Sequence, residues 1–275
     1  MSSAPLTTAT ATDSRDQLPT SRPPKPLPAP DPTTIPAFVL IAPPPRTHPR
    51  TKVTAPSLCA AWRDALAADD VPAEVAARFA VKEAKLDPAA LAAEFGACAC
   101  VVSPANAFGI MDGGYDMALS VAFTVERDIW ALTNVVQDAL RTRYRGYLPP
   151  GACELVLLTP ALTASNPLGC TVLAVVPTMR TPEDVSWHVD LVYDCMWNLL
   201  SALWRWNNGE RPEGAERVER VLMTGLGTGN GGITYERCAR QMALAAVNFA
   251  RGWGERPRWD DVEPRAKEMD NTRRV

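Results

Sequence analysis

Short apolar runs of strand length alternate with segments of helical period along most of this chain, and this alternation constrains the fold more than any other feature. The strand-like runs lie at 37–41, 78–86, 98–102, 154–159, 171–176 and 218–224. The helix-like segments lie at 57–68, 88–95, 116–123, 124–141, 181–206 and 234–250. Strands that alternate with helices usually form a sheet covered on both faces, so the pattern predicts an α/β fold.

The ends of the chain differ in composition from its middle. Fourteen of the 26 prolines fall at or before Pro56, and residues 1–34 mix Pro, Ser, Thr and Ala with few apolar side chains. Such a segment buries too little surface to offset its ordering entropy, so we expect a disordered tail over 1–34. The alternative is a polyproline segment at 23–30 that binds a partner. A domain over 35–253 and a polar C-terminal tail over 254–275 complete the expected organisation.

Composition also argues against several functions. The 28 basic and 31 acidic residues give a net charge of -3 without a long basic run, so nucleic-acid binding is not indicated. No apolar stretch reaches the roughly 18 residues of a membrane span, and no apolar signal region follows the N-terminus, so we expect an intracellular protein, cytoplasmic or nuclear.

The seven cysteines form no CxxC pair, which predicts neither a metal site nor a cofactor. Cys98 and Cys100 are expected to face the same side of a strand.

Two glycine-bearing loops each connect a strand-like run to a helix-like segment, at 103–114 (SPANAFGIMDGG) and 225–232 (GLGTGNGG). Glycine lets backbone amides approach an anion, and the start of the next helix adds further free N–H groups. Ligands of α/β sheets bind at the carboxyl ends of strands, where both loops fall. The two loops therefore predict a pocket that holds a diphosphate from both sides, with Asn106 and Asp116 beside it.

The second loop also fits part of a commoner motif. Residues 227–232 (GTGNGG) match GxGxxG, but no later strand supplies the acidic residue that a dinucleotide-binding fold needs about 20 residues further on. No lysine followed by a hydroxyl residue closes the loop, which excludes the GxxxxGK[ST] motif. A phosphate-binding turn without a catalytic lysine remains, or a glycine-rich turn that serves only compactness.

Together, the two loops resemble the macrodomain family. Residues 101–119 (VVSPANAFGIMDGGYDMAL) resemble its signature, in which a strand is followed by an Asn-Ala-Ala-Asn-type turn, glycines and a helix-opening aspartate. Residues 222–239 resemble its second loop, and the resemblance covers roughly 36–253. It implies a three-layer α/β/α fold with a central mixed, mostly parallel sheet, and a cleft that binds ADP-ribose or an ADP-ribosylated protein.

The resemblance also implies roles for single residues. Asn106 would bond the distal ribose, Gly113 and Gly114 would wrap the ribose and diphosphate, and Asp116 would orient or deprotonate a water near the anomeric carbon. The amides of the second loop would hold the phosphates. That loop set is Gly227, Thr228, Gly229, Asn230 and Gly231, and the remaining ligand-binding candidates are Ser103, Ala105, Ile233 and Glu83.

Some positions depart from the family pattern. Ser103 replaces the first asparagine of the turn, and Ile233 replaces an aromatic residue that packs on the distal ribose. Glu83 is a loosely aligned candidate for reading the adenine amino group. Asp112 would oppose a diphosphate, so we expect a turn residue directed outward. Asp116 itself could be only an acidic residue at a helix start.

Other polar and aromatic residues have ordinary explanations. His188 is expected to be a surface or interface residue, because two histidines make a catalytic triad improbable. Arg180 follows a strand and could contact either a ligand or a carboxylate. Trp197, Trp204 and Trp206 are expected to pack, or to form a partner surface.

Three functions follow from these residues. We favour a mono-ADP-ribosyl hydrolase, or a phosphatase of ADP-ribose 1''-phosphate, because the Asp116 carboxylate would lie near the distal ribose. A binding module without catalysis and a fold that has lost its ligand are the alternatives. The sequence does not separate them.

Overall fold

A single six-stranded sheet forms the centre of the molecule. The computed structural model describes residues 28–45, 47, 50 and 55–273. Within these residues the strands are β1 (Ala37–Ala42), β2 (Phe79–Glu83), β3 (Cys100–Ser103), β4 (Glu154–Leu157), β5 (Val172–Val175) and β6 (Arg220–Met223). Their spatial order is β2-β1-β6-β3-β5-β4, and only β4 runs antiparallel to its neighbour. The predicted mixed, mostly parallel sheet is confirmed.

Helices connect the strands and cover both faces of the sheet. They are α1 (Leu58–Leu66), α2 (Ala73–Ala76), α3 (Pro88–Phe95), α4 (Gly114–Ala122), α5 (Ala131–Tyr144), α6 (Pro160–Ser165), α7 (Leu191–Arg205), α8 (Tyr235–Arg251) and α9 (Trp259–Thr272). A 3-10 turn at Pro32–Thr34 precedes β1, and a π turn at Trp206–Glu210 follows α7. In the part of the chain that is described, no helix is both long and apolar enough to cross a membrane.

The strands divide the core into two clusters because successive side chains point to opposite faces. Phe38 and Leu40 of β1 pack in the cluster that contains α1, α7 and α8. Val39 and Ile41 of the same strand pack in the cluster that contains α3, α4, α5 and α6. Both faces of the sheet are therefore buried, which confirms the three-layer α/β/α fold.

Side-chain caps fix where several helices begin. Ser57 accepts a hydrogen bond from the Ala60 N–H at the start of α1, and Thr234 accepts one from the Arg237 N–H at the start of α8. Each cap satisfies one of the N–H groups that the first turn of a helix leaves without a partner. These caps explain why α1 and α8 begin within one residue of the starts predicted from the sequence.

Two helices begin later than predicted. The segment 124–141 becomes helical only at Ala131, because Glu126 and Arg127 adopt positive φ in a tight turn. The segment 181–206 becomes helical only at Leu191. Before it, the Val185 N–H donates to the Gly231 carbonyl at 3.0 Å, so a tertiary contact overrides the helical period of the segment 181–206.

The ends of the domain also differ from the sequence expectation. Residues 1–27 of the expected tail lie outside the described residues, whereas the Asp31 N–H donates to the Ala250 carbonyl at 2.8 Å. The expected polar tail over 254–275 contains α9, which packs on α8. The guanidinium of Arg265, buried in α9, lies 4.1 Å above the centre of the Trp253 ring.

All seven cysteines are free thiols. Cys98 and Cys100 lie in opposite core clusters, so the expectation that they share one side of a strand was wrong. The reason is that Cys98 precedes β3, where the alternation of a strand does not apply. Burial raises the pKa of both thiols, which keeps them protonated and unreactive at neutral pH.

Leu222 tests the importance of the central strand. Its side chain on β6 is 0% exposed, so Leu222→Ala should lower the free energy of unfolding by about 2–5 kcal/mol. The matched control is Leu157→Ala on the edge strand β4, where the side chain is 46% exposed and the loss should stay below about 1 kcal/mol. Urea denaturation measures both, and equal losses would contradict this account of the core.

Candidate functional site

A cleft of about 270 Å³ lies at the carboxyl ends of β3, β5 and β6. Three loops line it, one after each of these strands. The lining residues are Pro104, Asn106, Ile110 and 112–116 after β3, Thr178, Met179 and Pro182 after β5, and Thr224, Gly225 and 227–230 after β6. Because these parallel strands are adjacent in the sheet, their three loops meet at one edge.

Asn106 closes the first loop on itself. Its side-chain Oδ1 accepts hydrogen bonds from the N–H groups of Phe108 and Ile110, at 3.1 and 3.3 Å. Its Nδ2 donates to the Ile110 carbonyl at 2.6 Å. One amide hydrogen of Asn106 remains for a ligand, so the side chain primarily shapes the loop that forms the cleft.

Asp116 is a buried carboxyl group at the cleft. It occupies the first turn of α4 and is only 7% exposed, and its Oδ1 accepts a hydrogen bond from the Ser103 hydroxyl at 2.7 Å. Burial raises the pKa of Asp116 from 3.8 to about 7, although the Ser103 hydrogen bond lowers it and the nearby charge of Asp112 raises it. A carboxyl group with this pKa can take up or release a proton near neutral pH.

The second loop needs glycine for close packing. Gly227 has φ +68°, and a Cβ there would lie 2.7 Å from the Ile233 side chain. A Cβ on Gly231 would lie 2.5 Å from the Gly227 carbonyl oxygen. These contacts exclude larger residues at both positions. The loop therefore keeps a compact form that residues with a Cβ could not adopt.

Both glycine loops contain backbone N–H groups without a partner among the described residues. Within the described chain, the N–H groups of residues 228–231 have no hydrogen-bond acceptor. Helix α4 begins after Gly113 without a side-chain cap, so its first turn also leaves N–H groups free. Free amides from a turn and from a helix start are suited to bind an anion such as a phosphate.

The loop after β5 forms a third wall, from which the sequence analysis singled out only Arg180. The residues of this loop that line the cleft are Thr178, Met179 and Pro182. The Ala107 N–H donates to the Met179 carbonyl at 2.9 Å, and the Thr178 N–H donates to the Ala105 carbonyl at the same distance. This loop contains no glycine motif, so only the order of the strands in the sheet could have indicated its place in the cleft. β5 pairs with β3, and the loop after it must therefore contact the first glycine loop.

The structure brings most predicted ligand-binding residues into the cleft wall. These are Asn106, Gly113, Gly114, Asp116, Gly227, Thr228, Gly229 and Asn230. Asp112, expected to be a turn residue directed outward, is exposed and also lines the cleft, and its charge raises the pKa of Asp116.

Five further candidates lie outside the cleft wall. Ser103 and Ala105 are buried beneath the first loop, and Gly231 is buried in the second. Ile233 is buried against Gly227, so its side chain packs within the loop. Glu83 lies at the end of β2 and accepts a hydrogen bond from the Ser57 hydroxyl. Their proposed ligand contacts stay predictions.

Arg180 and His188 also lie outside this wall. The Arg180 guanidinium pairs with Glu183 at 3.5 Å, and the His188 ring lies beside Trp187. The salt-bridge alternative for Arg180 therefore has a partner in the structure. Among the described residues, no cluster of three or more His, Cys, Asp or Glu side chains could hold a metal ion.

A larger cavity of about 1,130 Å³ lies at the amino ends of the strands, on the side of the sheet away from the cleft. Arg78, Arg211 and Arg220 line it, and each donates hydrogen bonds to backbone carbonyls. The acidic residues Glu216 and Glu219 line it as well, so its charge is mixed. It lacks both the glycine loops and a buried carboxyl group. The smaller cleft therefore contains the chemistry that the sequence predicts.

Comparison with known proteins finds similar folds but no family assignment. No protein-family model and no curated protein matches the chain. Solved structures of the Oceanobacillus iheyensis macrodomain are similar to it. A variant with ADPR is 14% identical over 63% of this chain and 85% of its own, with a TM-score of 0.41. The form with ADP is 15% identical over 63% and 83%, also with a TM-score of 0.41. At this sequence identity and TM-score, the similarity is not evidence of a shared function.

Gly231 and Gly229 provide a matched test of the loop geometry. Gly231→Ala should lower the free energy of unfolding by about 1–3 kcal/mol, because the new Cβ would meet the Gly227 carbonyl. Gly229→Ala should change it by less than about 0.5 kcal/mol, because a Cβ at Gly229 meets no atom within 4 Å. Thermal and urea unfolding report both values. A stable Gly231→Ala variant would show that the loop is not tightly packed.

Asp116→Asn tests the burial of the carboxyl group. Because the pKa of Asp116 in the folded chain exceeds its ordinary value, the folded state holds a proton that the unfolded state has lost, and stability falls as pH rises from about 4 to 7. A pKa of about 7 in the folded chain, against 3.8 in the unfolded chain, lowers the free energy of unfolding by about 4 kcal/mol above pH 7. Asparagine removes this effect and still accepts the Ser103 hydrogen bond.

The melting temperature of Asp116→Asn, relative to the unaltered chain, should therefore increase between pH 5 and pH 8. Calorimetric melting at several pH values measures this difference. A difference that does not change with pH would mean that the pKa of Asp116 is not raised.

Proposed function

We propose that this chain binds ADP-ribose in the cleft at the carboxyl ends of β3, β5 and β6. When the anomeric carbon of the distal ribose is linked to an acidic side chain or a phosphate, the chain hydrolyses that link. One observation carries the proposal. Free amides of two glycine loops and the buried carboxyl group of Asp116 line the same cleft. Binding of a sugar diphosphate needs N–H donors for its phosphates, and hydrolysis at its sugar also needs a group that accepts a proton.

The amides of the second loop would bind the diphosphate. Residues 228–230 line the cleft with free N–H groups, and Gly113 and Gly114 open α4 on the facing wall. Neutral amide donors bind phosphate without adding a counter-charge, and the positive end of the α4 dipole adds to their attraction. The residues that resemble the macrodomain signature supply this wall, which supports ADP-ribose over other diphosphates.

Asp116 would act as the general base. In its ionised form it accepts a proton from a water molecule, whose oxygen forms a bond to the anomeric carbon. The bond from that carbon to the acceptor oxygen breaks, and its electron pair stays with the oxygen. A modified Asp or Glu side chain leaves as a carboxylate and needs no proton. The Ser103 hydroxyl positions the carboxyl group through its hydrogen bond.

A binding module without catalysis is the second candidate. The observation that favours it is the side chain of Asn106, whose amide bonds within its own loop and leaves only one hydrogen for a substrate. Binding needs only the loop amides, whereas hydrolysis also needs Asp116 to be ionised. Substrate turnover therefore separates the two functions.

Asp116→Ala and Asp112→Ala form the matched pair for this proposal. Asp116→Ala should reduce turnover of an ADP-ribosylated acidic peptide, or of ADP-ribose 1''-phosphate, by about 10²–10⁴-fold, because the base is removed. Its affinity for ADP-ribose should stay within about threefold, since the amides hold the diphosphate. Asp112→Ala should retain turnover but extend it to lower pH, because the charge of Asp112 raises the pKa of Asp116 and the Asp112 carboxyl group is not bonded to Ser103.

Calorimetry with ADP-ribose, AMP and NAD measures the affinities, and release of ADP-ribose or phosphate measures turnover. Unchanged turnover in Asp116→Ala would disprove the catalytic role. Tight ADP-ribose binding with no turnover in the unaltered chain would establish the binding module. Absence of ADP-ribose binding would leave a fold without this ligand.

A further inference from the structure

Three apolar side chains form an exposed patch at the edge of the cleft. Phe108, Ile110 and Tyr147 are 38%, 37% and 41% exposed. The Phe108 and Tyr147 rings meet edge to face, with their centres 5.5 Å apart. We call these three residues the rim patch. Exposed aromatic side chains grouped beside a ligand cleft are typical of interaction surfaces.

The loop that presents the rim patch is held firmly in place. The Asn106 side chain bonds to the backbone of Phe108 and Ile110, and the Gln137 side chain donates to the Phe108 carbonyl at 3.4 Å. Gly109, with φ +66°, packs so closely on α5 that a Cβ would lie 2.5 Å from Val136. A rigid surface loses little conformational freedom on binding, so its apolar area contributes more to affinity.

Two segments that carry arginine bond to the backbone of this loop. The Ala107 N–H donates to the Arg180 carbonyl at 3.2 Å, and the Ala107 carbonyl accepts from the Leu148 N–H at 2.9 Å. These bonds place the backbone of Arg180 on one side of the loop and that of Leu148, three residues after Arg145, on the other. Arg145 is exposed and forms no ion pair within the described ranges, and Arg180 pairs only at 3.5 Å. The flanks are therefore suited to an acidic segment.

The rim patch is continuous with the cleft. Ile110 lines both, and Asn106 at the base of the loop also lines the cleft. A group attached to a ligand in the cleft would leave it across this edge. We infer that the rim patch binds the acidic peptide segment of an ADP-ribosylated protein, with an apolar residue next to the modified side chain. This inference rests on the proposed function, because the ligand in the cleft is the ADP-ribose group of that protein.

The test uses two acidic peptides that carry ADP-ribose on one glutamate through a stable amide link. One has leucine next to this glutamate and the other has serine. Fluorescence anisotropy measures the affinity of the full chain for each peptide, and calorimetry measures its affinity for free ADP-ribose. The variants are Phe108→Ser and Tyr147→Ser. Trp259→Ser, which removes an exposed aromatic side chain of α9, is the control.

Each rim variant should bind the leucine peptide about tenfold more weakly, because aromatic residues at an interface carry much of its binding energy. The affinities for the serine peptide and for free ADP-ribose should change by less than about twofold, since neither places an apolar side chain on the rim patch. The control should leave all three affinities unchanged. Thermal melting confirms that each variant is folded.

Equal affinity of the rim variants and the unaltered chain for the leucine peptide would overturn the inference. An equal loss for free ADP-ribose would also overturn it, because the side chains would then act through the cleft. If the unaltered chain binds neither peptide nor ADP-ribose, the proposed function itself fails, and the inference fails with it.

Discussion

The parallel pairing of β3 with β6 is the constraint on which the site depends. Cys100 lies opposite Val221, and Val101 lies opposite Leu222, in the middle of the sheet. These strands are far apart in the sequence, and their side chains are buried on both faces. Because their carboxyl ends meet at one edge, the two glycine loops must lie next to each other. The pairing of these two strands thus brings the two glycine loops to the same side of the cleft floor.

Much of the fold was predictable because its signals are local. Runs of Val, Leu and Ile gave the strands, and caps such as Ser57 and Thr234 gave the helix starts. The start of α7 was not predictable, because contacts of Val185 with the glycine loop decide it. Helix α9 lacks the apolar periodicity of the others, and the packing of Arg265 and Trp253 decides its position.

The candidate site was predictable in position but only partly in detail. Glycine spacing indicated both loops, and the acidic residue at a helix start indicated Asp116. The sequence did not show that Asn106 would bond within its own loop, since the alternative partner, a ribose, is equally polar. Nor did it show that Ile233 would fill the space beside Gly227, because that contact depends on a positive φ. Side-chain direction in irregular loops follows from packing, which a linear pattern does not record.

Under the proposed function, the raised pKa of Asp116 would have opposite effects on ligand binding and on hydrolysis. A diphosphate close to this carboxyl group favours its protonated form, so association near neutral pH is accompanied by proton uptake. Water activation requires the ionised form. For a chain with the proposed function, the pH of tightest association would therefore lie below the pH of fastest turnover.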